Sequence, residues 1–512
     1  MLAPPRYKKF SSYIIGWLTS LAWIATVATE SIFAGTIIQG LIILDYPDYV
    51  SKQWQGTLLA WLVIAVAIFI NVIVPGLLPK FEIFILVFHI AGFIAILSVL
   101  WVYSPHGSVA SVFTTSLNEG GWPTQGLSYC VGFLGNVATF VGADASVHMA
   151  EEISNAALNI PRAICGSMIS KDTGLLVSRL PLFPHTKFTL FALKIVISRK
   201  LLTYRYLVNG IIGFAMMLTV LFCLGDVEKV LNGDTGFPFI QIFADSVNNI
   251  AGATAMAAVV LALTWACAIG ITTTASRMTW SFARDRGTPF SKFISKVEPR
   301  TKVPVIAVGV VTLFACLLTL IYVGSYTAFN DVISLTITGF YGSYFLPSAF
   351  LLYHRIKGHV ALADTEAEDF QLDPETNFPP GPSGGMNTAK KSKEVDGEKS
   401  DGVTPATAPN ADIGEGVAQA QLIWGPWHLP GLLGIINNAY ACLYMIFVIF
   451  WSVWPPQTPV DAATMNYSVL VTGGVIIFSI IWYWIRGRRE YKGPLIDDEV
   501  KAAMRVGSIV AI

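Results

Sequence analysis

Val131-Gly-Phe-Leu-Gly-Asn-Val-Ala-Thr-Phe-Val-Gly-Ala-Asp-Ala-Ser-Val-His-Met-Ala-Glu-Glu-Ile-Ser-Asn-Ala-Ala-Leu-Asn-Ile-Pro-Arg162 is the segment around which the chain is organised. It opens as a glycine-rich apolar helix and then passes a small-residue break with one acid, Gly142-Ala143-Asp144. A charged, Asn-bearing loop follows, and Pro161 restarts a helix, since proline is favoured at a first helical position. Two readings of the break stand side by side. An interrupted hydrophobic span frees backbone groups at mid-membrane, where a carrier uses them to hold a solute. A glycine-rich packing face on an ordinary membrane helix is the alternative.

The rest of the chain decides the setting. Of 512 residues, 54% are hydrophobic and only 13% charged, with a mean hydropathy of +0.59. A soluble domain carries about a quarter charged residues. Apolar runs of roughly 20 residues recur, each long enough to cross a bilayer. These features define an all-α polytopic membrane protein. A formal net charge of +0 gives no basic field for nucleic acid. The cysteines Cys130, Cys165, Cys223, Cys267, Cys316 and Cys442 lie scattered in apolar segments without CxxC spacing, so they read as small hydrophobes. The first apolar run is too long for a cleavable signal and is itself a span.

In chain order, ten spans are expected. They are 12–44, 56–78, 79–103, the broken segment, 161–170 continued from 207, 251–278, 303–323, 328–353, 430–454 and 467–484. Basic residues fall in alternate loops: Arg6, Lys8 and Lys9, then Lys80, the cluster from Arg277 to Lys302, His354 to Lys357, and Arg486 to Lys492. They share one side if both termini are cytoplasmic. Residues 358–421 turn polar, Pro- and Gly-rich and aperiodic, which predicts a disordered cytoplasmic loop. Residues 1–357 form the transmembrane core, 422–486 the last two spans and 487–512 a cytoplasmic tail. Glu30 lies about 27 Å above Ser12 at the helical rise and is expected to snorkel to the far interface. Glu82 and His89 lie two turns apart on one face, Glu82 at a helix start and His89 as a hydrogen-bonded packing residue.

Function separates two classes. A membrane enzyme needs a catalytic cluster. His148-Met-Ala-Glu151-Glu152 lacks the second histidine of H-x-x-E-H, and no Gly-x-Ser-x-Gly elbow or phosphate-binding loop occurs. Neither a metal site nor a cofactor is therefore expected. A carrier needs a broken helix, small residues for close packing and few charges, and these are present.

A family resemblance runs from near Met1 to about Pro494. Phe140 to Ala157 with Pro161-Arg162, Leu117-Asn-Glu-Gly-Gly-Trp-Pro-Thr-Gln-Gly126, Ala275 to Gly287 and Met465-Asn-Tyr-Ser468 recur in the order seen in fungal amino-acid/choline permeases, including those for γ-aminobutyrate. These belong to the amino acid–polyamine–organocation transporters. The resemblance implies a LeuT-type inverted-repeat fold of two five-helix repeats plus two further helices. The broken span would open the second repeat. It also implies a proton-coupled secondary carrier for an amino acid, γ-aminobutyrate or a choline-like amine, in the plasma membrane or the vacuolar membrane.

Carried over residue by residue, the resemblance implies that Phe140, Val141, Gly142, Ala143 and Asp144 contact substrate. Gly270, Ile271 and Thr272 would pass the same site, with Thr19, Ser20 and Trp23 from the first helix. Glu151, Glu152 and Arg162 would serve a cytoplasmic gate or loop network, or else a solvated helix end. For Asp144, pairing with a substrate amine, pairing with a neighbouring helix and holding the break open all remain.

Two departures accompany the match. The family has two more spans before this start, so the fold is expected to lack its first two helices and the chain as written not to transport. A non-transporting, sensor-like or pseudogene product is the opposing class. The mixed, basic stretch 171–206 has no family counterpart, and joining Ile169 to Leu207 restores one span. A translated intron is the expectation there, with a genuine loop as the alternative.

Overall fold

The longest apolar, small-residue run folds into the helix that everything else touches. In the computed structural model, α1 spans Lys8–Asp45. Its 38 residues extend about 57 Å at the helical rise, well beyond a bilayer core of about 30 Å. Alanines, glycines, serines and threonines line most of its circumference and are buried. Several of their hydroxyls are satisfied within the helix: Thr26 donates to the Ala22 carbonyl, Ser31 to Val27 and Thr36 to Ile32, each at 2.7 Å. That back-bonding lets polar residues sit dry in lipid.

The structure describes residues 2–139, 141, 142, 144–148, 156, 158–161, 164, 208–361, 422–425, 428–462 and 464–493. After α1 come α2 (Gln53–Val72), α3 (Leu78–Tyr103), α4 (Gln125–Ala138) and the short α5 (Ala145–His148). Then follow α6 (Val208–Phe222), α7 (Pro238–Val247), α8 (Ile250–Arg284), α9 (Val305–Gly324), α10 (Tyr326–Lys357), α11 (Gly431–Ser452) and α12 (Ser468–Trp482). Eight helices among the described residues are long and apolar enough to span a membrane. The broken α4–α5 segment and α6 occupy the positions of the other two expected spans. The chain is an all-α, multi-pass membrane protein. The insert at 171–206, the loop between 362 and 421 and the tail beyond 493 lie outside the described residues. A two-residue parallel bridge, Val360–Ala361 with Leu422–Ile423, joins the ends that flank the loop.

Close helix crossings explain the small residues. α1 packs against α2, α8, α9, α10 and α12. A Cβ on Gly35 would sit 2.8 Å from the Ala60 nitrogen and the Gly56 oxygen of α2. One on Gly339 of α10 would sit 2.9 Å from Ala22 Cβ. Such backbone proximity is how membrane helices gain packing without a hydrophobic drive between them. Asn71 adds a polar tie, its Nδ2 donating to Ala67 O at 2.9 Å and to Ile269 O of α8 at 3.2 Å, while Thr273 donates to its Oδ1. By contrast, Ile83, Phe84, Leu86 and Val87 of α3 are exposed on the outer surface, where lipid would cover them.

One sequence expectation changes in detail. Glu30 sits 15 residues, about 22 Å, before the end of α1, so it lies within the bundle and does not snorkel to an interface. It is flanked by buried Thr29 and Ser31. Glu82 approaches α8, its Oε1 3.5 Å from where a Gly270 Cβ would be. Glu82 and Gly270 stand on different helices, so helix periodicity alone carries no information on this meeting.

Candidate functional site

The helix break forms because α4 runs out of residues that can continue it. α4 ends at Ala138 with Thr139 as its C-cap, and α5 begins only at Ala145. Between them Gly142 adopts φ +90°, a region that residues with a Cβ rarely enter. Val141 N–H reaches back to Ala138 O at 3.3 Å, and Ala145 N–H reaches Gly142 O at 3.0 Å. Asp144 then starts α5 by accepting the Val147 N–H on its carbonyl at 2.8 Å.

Four side chains close around this turn. His148 Nε2 donates to Asp144 Oδ2 at 3.0 Å, an i,i+4 pair with side-chain exposures of 17% and 14%. The Trp23 ring of α1 meets the His148 ring edge-on, with centroids 5.8 Å apart. Trp23 also meets Phe340 of α10 at 5.1 Å and comes within 4.0 Å of a Cβ position on Gly142. Tyr344, one turn beyond Phe340, interacts electrostatically with the Asp144 carboxylate. The two stand outside strict hydrogen-bond geometry, so the Tyr344 hydroxyl and Asp144 Oδ1 are both buried without a partner among the described residues. A buried carboxylate oxygen without a donor costs free energy, typically about 1–3 kcal/mol or more. The arrangement therefore favours a positively charged or N–H-bearing group against Oδ1.

The expected site residues divide. Val141, Gly142, Asp144 and Trp23 come together; Val141, Ala145 and Ile271 pack on one apolar cluster with Trp23, Phe340 and Val137. Ser20 Oγ and Trp23 Nε1 are also buried without partners among the described residues. Thr19 and Thr272 are buried but donate within their own helices, to Ile15 O at 2.9 Å and Ala268 O at 2.8 Å. Gly270 faces Glu82 of α3. Phe140, Ala143, Glu151, Glu152 and Arg162 lie outside the described residues. Sequence reading misses Phe340 and Tyr344, whose i,i+4 aromatic spacing on α10 looks like ordinary packing. It weighs His148 only against a metal motif, where the structure gives it the role of holding one oxygen of Asp144.

A second constellation lies on the Gly270 side. The Cys267 thiol of α8 is within electrostatic reach of both Glu30 and Glu82. Glu30 forms no ion pair or hydrogen bond among the described residues. Two carboxylates near a membrane-embedded helix face are uncommon and costly, and such groups mark ion or proton paths.

Comparison with known proteins matches this architecture to one family. The amino acid permease family model matches residues 3–171 and 200–367, more than half of the chain. A Macrophomina phaseolina protein described as an amino acid/polyamine transporter is 29% identical over 359 residues, 70% of this chain and 71% of its own length. The choline transporter of Saccharomyces cerevisiae is 24% identical over 493 residues, covering 96% of this chain and 69% of the relative. Amino-acid permease 2 of Neurospora crassa is 21% identical over 522 residues, covering 100% of this chain and 76% of the relative. With a multi-pass all-α fold, a central broken helix and a family match along most of its core, the chain belongs to the amino acid permease family of membrane transporters.

Proposed function

We propose that this permease is a proton-driven secondary carrier whose solute is an amino acid, γ-aminobutyrate or a choline-like amine, in the plasma membrane or the vacuolar membrane. One observation carries the reading: at the helix break Asp144 Oδ2 is held by His148, while Oδ1 is buried beside the Tyr344 hydroxyl without a partner in hydrogen-bond geometry among the described residues. A carboxylate oriented by one donor, with its other oxygen still short of one, suits a solute ammonium. Trp23 and Phe340 supply aromatic surface beside it, which attracts a desolvated cation. Val141 and Gly142 supply backbone groups there, Ser20 lies on the α1 side and Ile271 on the α8 side. Glu151, Glu152 and Arg162 serve a cytoplasmic gate or loop network.

Proton coupling rests on Glu30. A carboxyl inside the bundle without a cationic partner gains from binding a proton when water is excluded. Protonation then neutralises α1 before it shifts against α8.

Equilibrium binding of radiolabelled choline, γ-aminobutyrate and amino acids to the purified chain tests the site. Asp144→Asn is expected to weaken the bound amine at least tenfold while sparing the fold, because the amide oxygen still accepts from His148. Equal binding by wild type and variant would sink the reading. Uptake driven by an imposed pH gradient, in cells without endogenous permeases, separates a carrier from a non-transporting membrane protein.

A further inference from the structure

Beyond the helix break lies a cavity of about 440 Å³ that the function above does not use. Its walls come from the outer half of α4, the start of α10 and the loops before α4 and before α12. Basic residues cluster at the opposite ends of these helices, which puts the cavity on the non-cytoplasmic side.

The lining has one sign of charge. Glu119 and Asp331 face into the cavity, and no lysine, arginine or histidine lines it among the described residues. Asp331 Oδ2 accepts the Tyr467 backbone N–H at 2.9 Å, so the carboxylate is fixed while Oδ1 stays without a partner among the described residues. Glu119 forms no ion pair or hydrogen bond among the described residues. Two indoles complete the chamber, Trp122 and Trp454, with ring centroids 5.9 Å apart. Trp122 is only 9% exposed, and its Nε1–H is buried without an acceptor among the described residues.

The frame around these groups is rigid. Asn118 and Trp122 exchange two hydrogen bonds, Asn118 Nδ2 to Trp122 O at 2.6 Å and Trp122 N to Asn118 Oδ1 at 3.0 Å. Thr458 N–H donates to Gly120 O at 2.9 Å, tying the two outer loops together. Asn466 holds the floor, its Nδ2 donating to Ser334 Oγ at 3.2 Å, Ser452 O at 3.0 Å and Trp454 O at 3.1 Å. A preorganised chamber with two carboxylates, aromatic faces and no competing cation among the described residues is complementary to a small organic ammonium ion.

We propose that this outer chamber is a second binding site, which captures an ammonium solute before it reaches the helix break. Asp331 Oδ1 and Glu119 take the positive charge, and the Trp122 and Trp454 faces cover its alkyl groups. The chamber adjoins α4 through Val131, Leu134 and Gly135, so a solute leaving it moves along α4 toward Gly142. This site deepens the amine reading of the family activity and stands apart from Asp144.

Calorimetric titration of the full-length chain in lipid nanodiscs with choline tests it, using Asp144→Asn to remove the break site. That variant is expected to keep one saturable choline site. Adding Asp331→Asn and Glu119→Gln should weaken that site at least tenfold, with an unchanged melting temperature, because the amide oxygen introduced in place of the Asp331 carboxylate still accepts the Tyr467 N–H. The uncharged isostere 3,3-dimethylbutan-1-ol is expected not to bind. Loss of all binding in Asp144→Asn alone overturns the chamber proposal and leaves the break site standing. Binding that is indifferent to Asp144→Asn and abolished by Asp331→Asn with Glu119→Gln supports the chamber and overturns the break site. Unchanged affinity in the triple variant, or equal binding of the alcohol, overturns the chamber proposal.

Discussion

Replacing Gly142 by alanine isolates the backbone requirement of the helix break. A Cβ built there would have Trp23 Cη2 at 4.0 Å as its nearest neighbour, which is ordinary contact, so sterics add nothing. What remains is the conformation, φ +90°, which costs a residue with a Cβ about 1–3 kcal/mol. Taking about 2 kcal/mol, a site that exists only with this turn intact loses about 30-fold in affinity. Two control glycines bracket the result. Gly135, on the preceding helix, has nothing within 4 Å of its Cβ position, so Gly135→Ala is expected to leave stability unchanged or slightly raised. Gly339→Ala places a Cβ 2.9 Å from Ala22 Cβ and 3.2 Å from Leu18 O, which forces α1 and α10 apart. Overpacking of that kind costs about 1–3 kcal/mol across the whole bundle. The assay pairs melting temperature in detergent with equilibrium binding of labelled amine. Gly142→Ala should lose binding with little change in melting, and Gly339→Ala should lower melting first. If Gly142→Ala binds like wild type, the turn is not part of the site and the reasoning fails.

Other outcomes follow from single contacts. Asn71→Ala removes donors to Ala67 O and Ile269 O and strands Thr273, so melting should fall by an amount equivalent to about 1–3 kcal/mol. Trp23→Ala empties a 2% exposed position beside His148 and Phe340 and should cost about 3–5 kcal/mol, read from the same melting curves. Glu30→Gln should remove the dependence of uptake on an imposed pH gradient while leaving equilibrium binding of the amine unchanged. Burial pushes the Tyr491 phenol, just past the last span, up from 10.0 to about 12. Its folded-state value lies above the unfolded one, so its contribution is complete below pH 10 and is lost as pH rises toward about 12. The loss is on the order of 2 kcal/mol, and Tyr491→Phe should flatten the melting curve against pH over that window.

Much of the architecture was readable from local chemistry. Runs of roughly 20 apolar residues define spans whatever their neighbours, because lipid imposes one length on every helix that crosses it. The alternation of lysine and arginine between loops orients them for the same reason. The break at 142–144 was legible only as one of two readings, since a glycine-rich packing face on an unbroken helix fitted the same residues; the backbone at Gly142, with φ +90°, decides for the break.

Which side chains meet at that break was another matter. Asp144 and His148 are four residues apart, yet the pair reads in sequence as part of an incomplete metal motif. Phe340 and Tyr344 arrive from nearly 200 positions away and carry no charge to announce them. Glu30 looks like an interfacial acid by distance along one helix, but the course of α1 through the bundle puts it beside Cys267 and within reach of Glu82's neighbourhood. The sequence by itself determined the solvent the chain folds in, the helices and their order, because these depend on hydrophobicity and local backbone freedom. Only the tertiary structure decided the partners of Asp144 and Glu30 and the chamber between Trp122 and Trp454. Those depend on crossing positions of long helices, and small-residue packing sets such positions through contacts that no single stretch contains.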